Sequence, residues 1–380
     1  MTSINYSEKQ HLLDKLALLI SSKDINKAIN LLTNNDNAKV YDAAIQQGVV
    51  GLIQQNIKNT TATPELIEQL NSYQNNYKIL NNFVDNEATN VLKKLKKEQI
   101  DVVVLKGFSL AQQVYSEPSL RPKTDIDILI RVEDKDKIKN IFESLGYSNP
   151  RGWEPKAIIN QFSYKKTLGK GINVYFDIHL KISNSKKIEN ILNYNELLKS
   201  ANTTTNKDIN LINLPHALTH AVFHLLGHKA SGDLVKLIWY YDIFLLIQNI
   251  NEQKEQELIN LISSTGLANL MTHTLTLTSQ YFPSDKLTLL TKKIAKLPFD
   301  SNYDYLLDNT YGVKELWLTL KASNSLKERI NVMRETMFPP PVEIYAKYGK
   351  HTKWPLSMLY LRRIIMGGFK CLIPTKKGKS

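Results

Sequence analysis

Residues 102–132, VVVLKGFSLAQQVYSEPSLRPKTDIDILIRV, decide the fold of this chain. They read as an apolar strand, a Gly turn, a short helix, a loop and a second strand. Residues i and i+2 of a strand point to the same face. Asp125 and Asp127, at the start of the second strand, therefore project together while Ile126 turns into the core. Two convergent carboxylates form a hard-oxygen set suited to Mg²⁺, which takes one or two carboxylates together with phosphate oxygens. The first strand is expected to end in Lys106 and Gly107, where a cation and a backbone turn can hold a polyphosphate. Asp-x-Asp alone has a plain alternative, the solvated start of a strand. The surrounding order separates the two readings: an apolar strand ending in Lys-Gly, then a helix, then Arg121 four residues before the first Asp.

Downstream, residues 161–167 and 172–180 form a second strand pattern around the Gly-Lys-Gly of 169–171, expected to be a hairpin. In INVYFDIHL the alternation places Asp177 and His179 on one face.

The order of these elements resembles the nucleotidyltransferase superfamily of the DNA polymerase β type. More narrowly, it is similar to the bacterial nucleotidyltransferase family whose core reads L-K-G-x-x-L, then Tyr, then R-P-x-x-D-I-D. Those positions are Leu105, Lys106, Gly107, Leu110, Tyr115, Arg121, Pro122, Asp125, Ile126 and Asp127. A looser similarity links the chain to abortive-infection toxin nucleotidyltransferases, which share the Lys-Gly and the Arg before the carboxylates. The superfamily carries a third carboxylate on a neighbouring strand, which Asp177 matches, and the narrower family has Asp-x-His there. The departure is at Phe108, which with Ser109 follows Gly107 where the superfamily has Gly-Gly or Gly-Ser.

The resemblance implies an α/β (α+β) fold: a small mixed sheet of the polymerase-β-type core, flanked by N- and C-terminal helical regions. It implies that Asp125 and Asp127 hold Mg²⁺ (or Mn²⁺), with Asp177 completing the metal site or taking a proton from the attacking hydroxyl. Lys106 and Arg121 would neutralise phosphate charge, and Gly107 would let the backbone approach it. Ser109, His179, His220 and His224 join them as nucleotide-binding candidates. The implied activity is transfer of a nucleoside monophosphate from a nucleoside triphosphate such as ATP to a hydroxyl or phosphate acceptor. Small molecule, peptide, protein and RNA all remain open as acceptors. Two alternatives stand beside it: a catalytically inactive nucleotide- or partner-binding scaffold, and an RNA-directed toxin.

Composition is consistent with this reading. Of 380 residues, 42% are hydrophobic and 22% charged, ordinary for a globular chain. The one cysteine, Cys371, excludes an intrachain disulfide and a cysteine metal cluster. The start, MTSINYSEKQ, lacks a basic stretch before an apolar core, and no apolar run reaches the ~20 residues of a membrane span, so a cytoplasmic protein is expected. The net charge of +13 is uneven: residues 301–380 carry 14 basic and 6 acidic side chains, and from Ile344 onward there are nine Lys or Arg and no Asp or Glu. Such a segment can attract nucleic acid, an anionic membrane surface or an acidic partner; the alternative is a solvated terminus, and TKKGKS reads as disordered.

Apolar spacing predicts helices over 9–33, 39–58 and 63–99, one over 133–147 ended by Gly146, a long one opened by Pro215, another through Trp239–Ile247, and more over 252–296, 303–322 and 323–336. The expected divisions are 1–99 helical, 100–200 nucleotidyltransferase core, 201–338 helical and 339–380 basic. His216, His220, His224 and His228 recur every four residues, so neighbours share a helix face. Without the Glu of HExxH, a zinc site is disfavoured. The histidines either face the nucleotide cleft, or pair with Asp242 to position two helices. No G-x-S-x-G elbow or P-loop is present, and Trp239, Trp317 and Trp354 read as core or groove lining.

Overall fold

The computed structural model describes residues 6–21, 29, 37–57, 62–150, 160–183, 188–189, 191–204, 209–307, 311–323, 325–339, 341–345, 348 and 354–372. Helices α1 (Tyr6–Ser21), α2 (Asn37–Gln47), α3 (Val50–Ile57) and α4 (Pro64–Lys97) come first. The pattern over 39–58 predicts one helix, yet Gly48 ends α2 with φ +71, and a Cβ there would lie 3.3 Å from Ile238 Cγ2. The break lets α3 turn back, and α3 buries Leu52, Ile53 and Ile57. Part of the expected 9–33 helix lies outside the described residues.

The sheet follows: β1 (Val103–Val104), α5 (Lys106–Gln113), β2 (Ile126–Leu129), α6 (Lys135–Ser144), β3 (Gln161–Thr167) and β4 (Asn173–His179). After α7 (Tyr194–Ser200), two further strands, β5 (Asn202–Thr203) and β6 (Asn210–Leu211), extend it. The spatial order is β3-β4-β2-β1-β6-β5. β2 runs parallel to β4 and antiparallel to β1, and β6 runs parallel to β1. The sheet thus continues past residue 200, where the sequence placed a division. The expected hairpin is present: β3 and β4 pair antiparallel from Gln161↔His179 to Thr167↔Asn173.

Alternation sorts the sheet's residues between two cores. Ile126, Ile128, Phe176 and Ile178 pack against Val91 and Leu95 of α4 and Phe142 of α6. On the other face, Val103, Leu105 and Leu129 join a larger core reaching Leu16 and Leu70 on one side and Leu225 and Ile243 on the other. Asp127, between Ile126 and Ile128, lies on this second face. At about 1.5–3 kcal/mol per buried large apolar side chain, this core outweighs any single polar contact in the molecule.

That larger core is closed by α8 (Leu214–Ser231), α9 (Leu237–Asn249), α10 (Glu252–Thr265), α11 (Ala268–Tyr281) and α12 (Asp285–Ile294). The Asn213 side chain caps α8 by accepting from His216 N, with Pro215 in the first turn. Then come α13 (Tyr311–Ala322), α14 (Leu326–Met337), α15 (Pro341–Ile344) and α16 (Leu356–Leu372). The basic C-terminal segment therefore contains a helix, while TKKGKS lies outside the described residues. No helix among the described residues is long and apolar enough to cross a membrane.

Candidate active site

Strand register assembles the carboxylates. Asp127 of β2 sits directly opposite Asp177 of β4 in the parallel pair, and Asp125 lies two residues before Asp127 on the same face. One ligand oxygen from each lies within 4.8 Å of the others. Asp127 is buried and holds two hydrogen bonds on one oxygen: Lys106 Nζ donates at 2.6 Å, and His179 Nε2 lies 2.8 Å away, carrying its hydrogen there because a carboxylate only accepts. Burial would raise the Asp127 pKa, but Lys106 and His179 overcome it and hold it well below the usual carboxylate range. Asp177 accepts from Ser163 Oγ, its opposite number on β3. Asp125 is pushed up to about 6, first by burial and then by repulsion from Asp127 and Asp177.

This donor set fits a divalent cation. The oxygens are hard and convergent, Asp127 and Asp177 each keep Oδ2 beyond the bonds made by Oδ1, and the crowding that raises Asp125 is relieved by a cation between the three.

Lys106 and Gly107 do not end a strand. β1 stops at Val104 and both residues open α5, with Lys106 at φ +45. A side-chain-bearing residue in that region costs about 1–3 kcal/mol and persists where the surroundings over-determine it; here the Lys106–Asp127 bond does so. Burial lowers the Lys106 pKa, but the neighbouring carboxylates outweigh it and raise it overall, so its ammonium stays charged. Gly107 answers to side chains of the protein's own 121–123 loop. A Cβ would lie 3.3 Å from Lys123 Cβ and 3.5 Å from Arg121 Nη1, so glycine lets the 121–123 loop close over α5. Ser109 lies one turn farther along α5, fully buried, its Oγ accepting from Gln113, and is not part of the cavity wall.

Arg121 is not an open fork. Its Nε lies 2.8 Å from Asp242 Oδ1, its Nη2 lies 2.8 Å from Asp242 Oδ2, and Nη1 donates to the Pro122 carbonyl. Tyr115 also donates to Asp242, at 2.7 Å. Asp242 therefore pairs with Arg121 and Tyr115, not with a histidine as one sequence reading had it.

The residues 118–125 that lead into the carboxylate pair are held by α4. Gln74 Nε2 donates to the Ser119 carbonyl, Tyr77 Oη accepts from Lys123 N, and Lys123 Nζ lies 2.8 Å from Asp85. Lys123 Nζ also bonds Asn81 Oδ1. Positions 74, 77, 81 and 85 recur at three- and four-residue steps, one stripe of a helix. Sequence reading missed this set, although polar residues interrupting an otherwise apolar helix face were its visible signal.

Asp125, Asp127 and Lys106 open onto a cavity of about 410 Å³ whose far wall is α8 and the start of α9, including His220, His224, His228, Lys236 and Trp239. His224, His228 and Trp239 pack as a ring cluster with centroids 4.6–4.9 Å apart. Burial, then the charges of Lys106 and His179, depress His220 to about 3; burial and Lys106 also depress His224. Both rings are neutral near pH 7. His179 stands behind Asp127, so the structure brings His220 and His224 to the cavity and gives His179 to the carboxylate. Lys236 and Trp239 are lining residues that the spacing of the histidines did not reveal.

A carboxylate on a central strand, a second just before that strand on the same face, a third in register on its parallel neighbour and helices closing the cleft together define a nucleotidyltransferase-like protein. The chain belongs to the family of uncharacterised nucleotidyltransferases, whose model matches residues 33–283. It is also similar to an antigenic nucleotidyltransferase-like protein from Paracoccidioides brasiliensis, known from a crystal structure, with 13% identity and a TM-score of 0.39 over 58% of this chain and 94% of that one. No curated protein matches the chain.

Proposed function

We propose that this chain is a divalent-metal-dependent nucleotidyltransferase that transfers the nucleoside monophosphate of a triphosphate to a hydroxyl or phosphate acceptor. The observation that carries the reading is the in-register triad Asp125, Asp127 and Asp177 beside a cavity large enough for a nucleotide. These three residues would hold Mg²⁺ or Mn²⁺, which supplies Lewis-acid stabilisation of phosphate charge. Transfer forms a bond from the acceptor oxygen to the α-phosphorus and breaks the bond to the leaving pyrophosphate.

The chain's own residues do the rest. Lys106 sits where a phosphate oxygen can compete for its ammonium, acting as a point charge. Asp177 either completes the metal site or takes the acceptor proton at Oδ2, Oδ1 being held by Ser163. His179 fixes the orientation of Asp127. Arg121, neutralised by Asp242, positions the loop and adds little net charge to the site. The neutral rings of His220 and His224 offer one donor and one acceptor each, which suits a base or a sugar hydroxyl better than a phosphate.

Calorimetry with a non-hydrolysable triphosphate tests this. Binding is expected with Mg²⁺ or Mn²⁺ and lost in excess chelator, because three carboxylates repel a bare triphosphate. Equal affinity in chelator would overturn the assignment.

A further inference from the structure

Large apolar side chains are exposed mainly in one stretch of the chain. Of the eighteen exposed among the described residues, ten lie between Trp317 and Ile365. α16 shows the arrangement most clearly. Leu359 is buried, Tyr360 Oη donates to the Pro339 carbonyl, and Arg363 donates to the Thr336 carbonyl. These contacts turn one face of α16 inward. Met358, Leu361 and Ile365, at steps of three and four, form the opposite stripe and are 46%, 56% and 48% exposed. Trp354, just before the helix, is 45% exposed, and the Arg362 guanidinium lies over its ring and that of Tyr348 at 5.8 and 5.5 Å. The adjoining α14 carries its own outward apolar set in Leu326, Ile330 and Met333.

This stripe belongs to the segment in which nine Lys or Arg residues are opposed by no acid. We propose that α16 and Trp354 form a docking surface for an anionic phospholipid membrane, with the helix lying in the plane of the interface. An outward aliphatic stripe, a tryptophan at its end and unopposed basic charge are what such an interface rewards: apolar burial among acyl chains and attraction to acidic headgroups. Arg362 and Arg363 in mid-helix exclude a spanning orientation. Two copies of this chain, each with a net charge of +13, would bring like charge against like, which disfavours self-association. A nucleic acid would answer the charge and leave the aliphatic stripe in water.

The test is co-sedimentation of the full-length chain with vesicles of phosphatidylcholine alone, or containing phosphatidylserine as about a third of the lipid. Binding to the acidic vesicles is expected at least ~10-fold tighter than to neutral ones, and weaker as salt shortens the screening length. Leu361→Glu combined with Ile365→Glu alters only exposed positions and should leave the thermal melt unchanged, yet lower vesicle binding by ~10-fold or more. Equal sedimentation of wild type and double variant, or equal binding to neutral and acidic vesicles, would overturn the proposal. So would a dimer that the double variant dissociates, which would assign the stripe to a second copy. RNA binding without vesicle binding would assign the charge to nucleic acid and overturn it as well.

Discussion

Between about pH 4 and pH 6 the folded protein keeps a proton on Asp125 that the unfolded chain has already released, because burial and two neighbouring carboxylates raise its pKa from 3.8 to about 6. The folded state binds the extra proton, so this residue's contribution to stability falls as pH rises through that window. Asp127 works in the opposite sense. Its pKa is depressed, so its pairing with Lys106 and His179 stabilises the fold above the ordinary carboxylate range and is lost on acidification. Asp125→Asn is therefore expected to stabilise the metal-free protein at pH 7 by about 2 kcal/mol and to remove the pH 4–6 component of its stability. Asp127→Asn, which leaves the half-buried Lys106 poorly paired, is expected to cost about 2–4 kcal/mol. Both should abolish metal-dependent triphosphate binding. Denaturant midpoints of the two variants across pH, in chelator, check the asymmetry; equal shifts of the same sign would refute the distinct roles given to the two carboxylates.

Helix α4, 34 residues and about 50 Å long, serves both cores and also holds the loop before Asp125 through Gln74, Tyr77, Asn81 and Asp85. Lys123 and Asp85 are both buried, so each single replacement strands the other charge. Lys123→Met and Asp85→Leu should each cost about 3 kcal/mol, with the double variant costing well under the sum. Strict additivity in urea unfolding would show that the pair does not hold the loop. The length of α4, the β3–β4 hairpin and the Asp125/Asp127 pair were legible in the sequence because each is a periodic pattern within one segment. Asp177 was legible as a face partner of His179, but its pairing with Asp127 needed the parallel register. β5 and β6, two residues each, carry no period to read. The helical start at Lys106 was hidden because an apolar run followed by Lys-Gly reads equally well as a longer strand. Arg121–Asp242 and Lys123–Asp85 join residues 121 and 38 positions apart, and nothing local marks such partners.

The larger core runs from Leu16 to Leu306 without a break between the N-terminal helices, one face of the sheet and α8–α12. The cleft is bounded by all three parts, and the buried Arg121–Asp242 pair links the loop before the carboxylates to α9. A molecule joined in this way should unfold through this core in one transition, with no separately stable piece between residues 100 and 200. Far-UV and near-UV dichroism should then give coincident melting curves, and Asp242→Ala, which strands a buried guanidinium, should lower both together by about 3–5 kcal/mol of stability. Because the ligand would bridge the same parts, saturating Mg²⁺ and non-hydrolysable triphosphate at ~100 times Kd should raise the stability of the whole by about 2.7 kcal/mol and keep the curves coincident. If the two probes separate, or the ligand shifts one curve and leaves the other in place, the sheet and the helices around it unfold as distinct units and the shared core does not couple them.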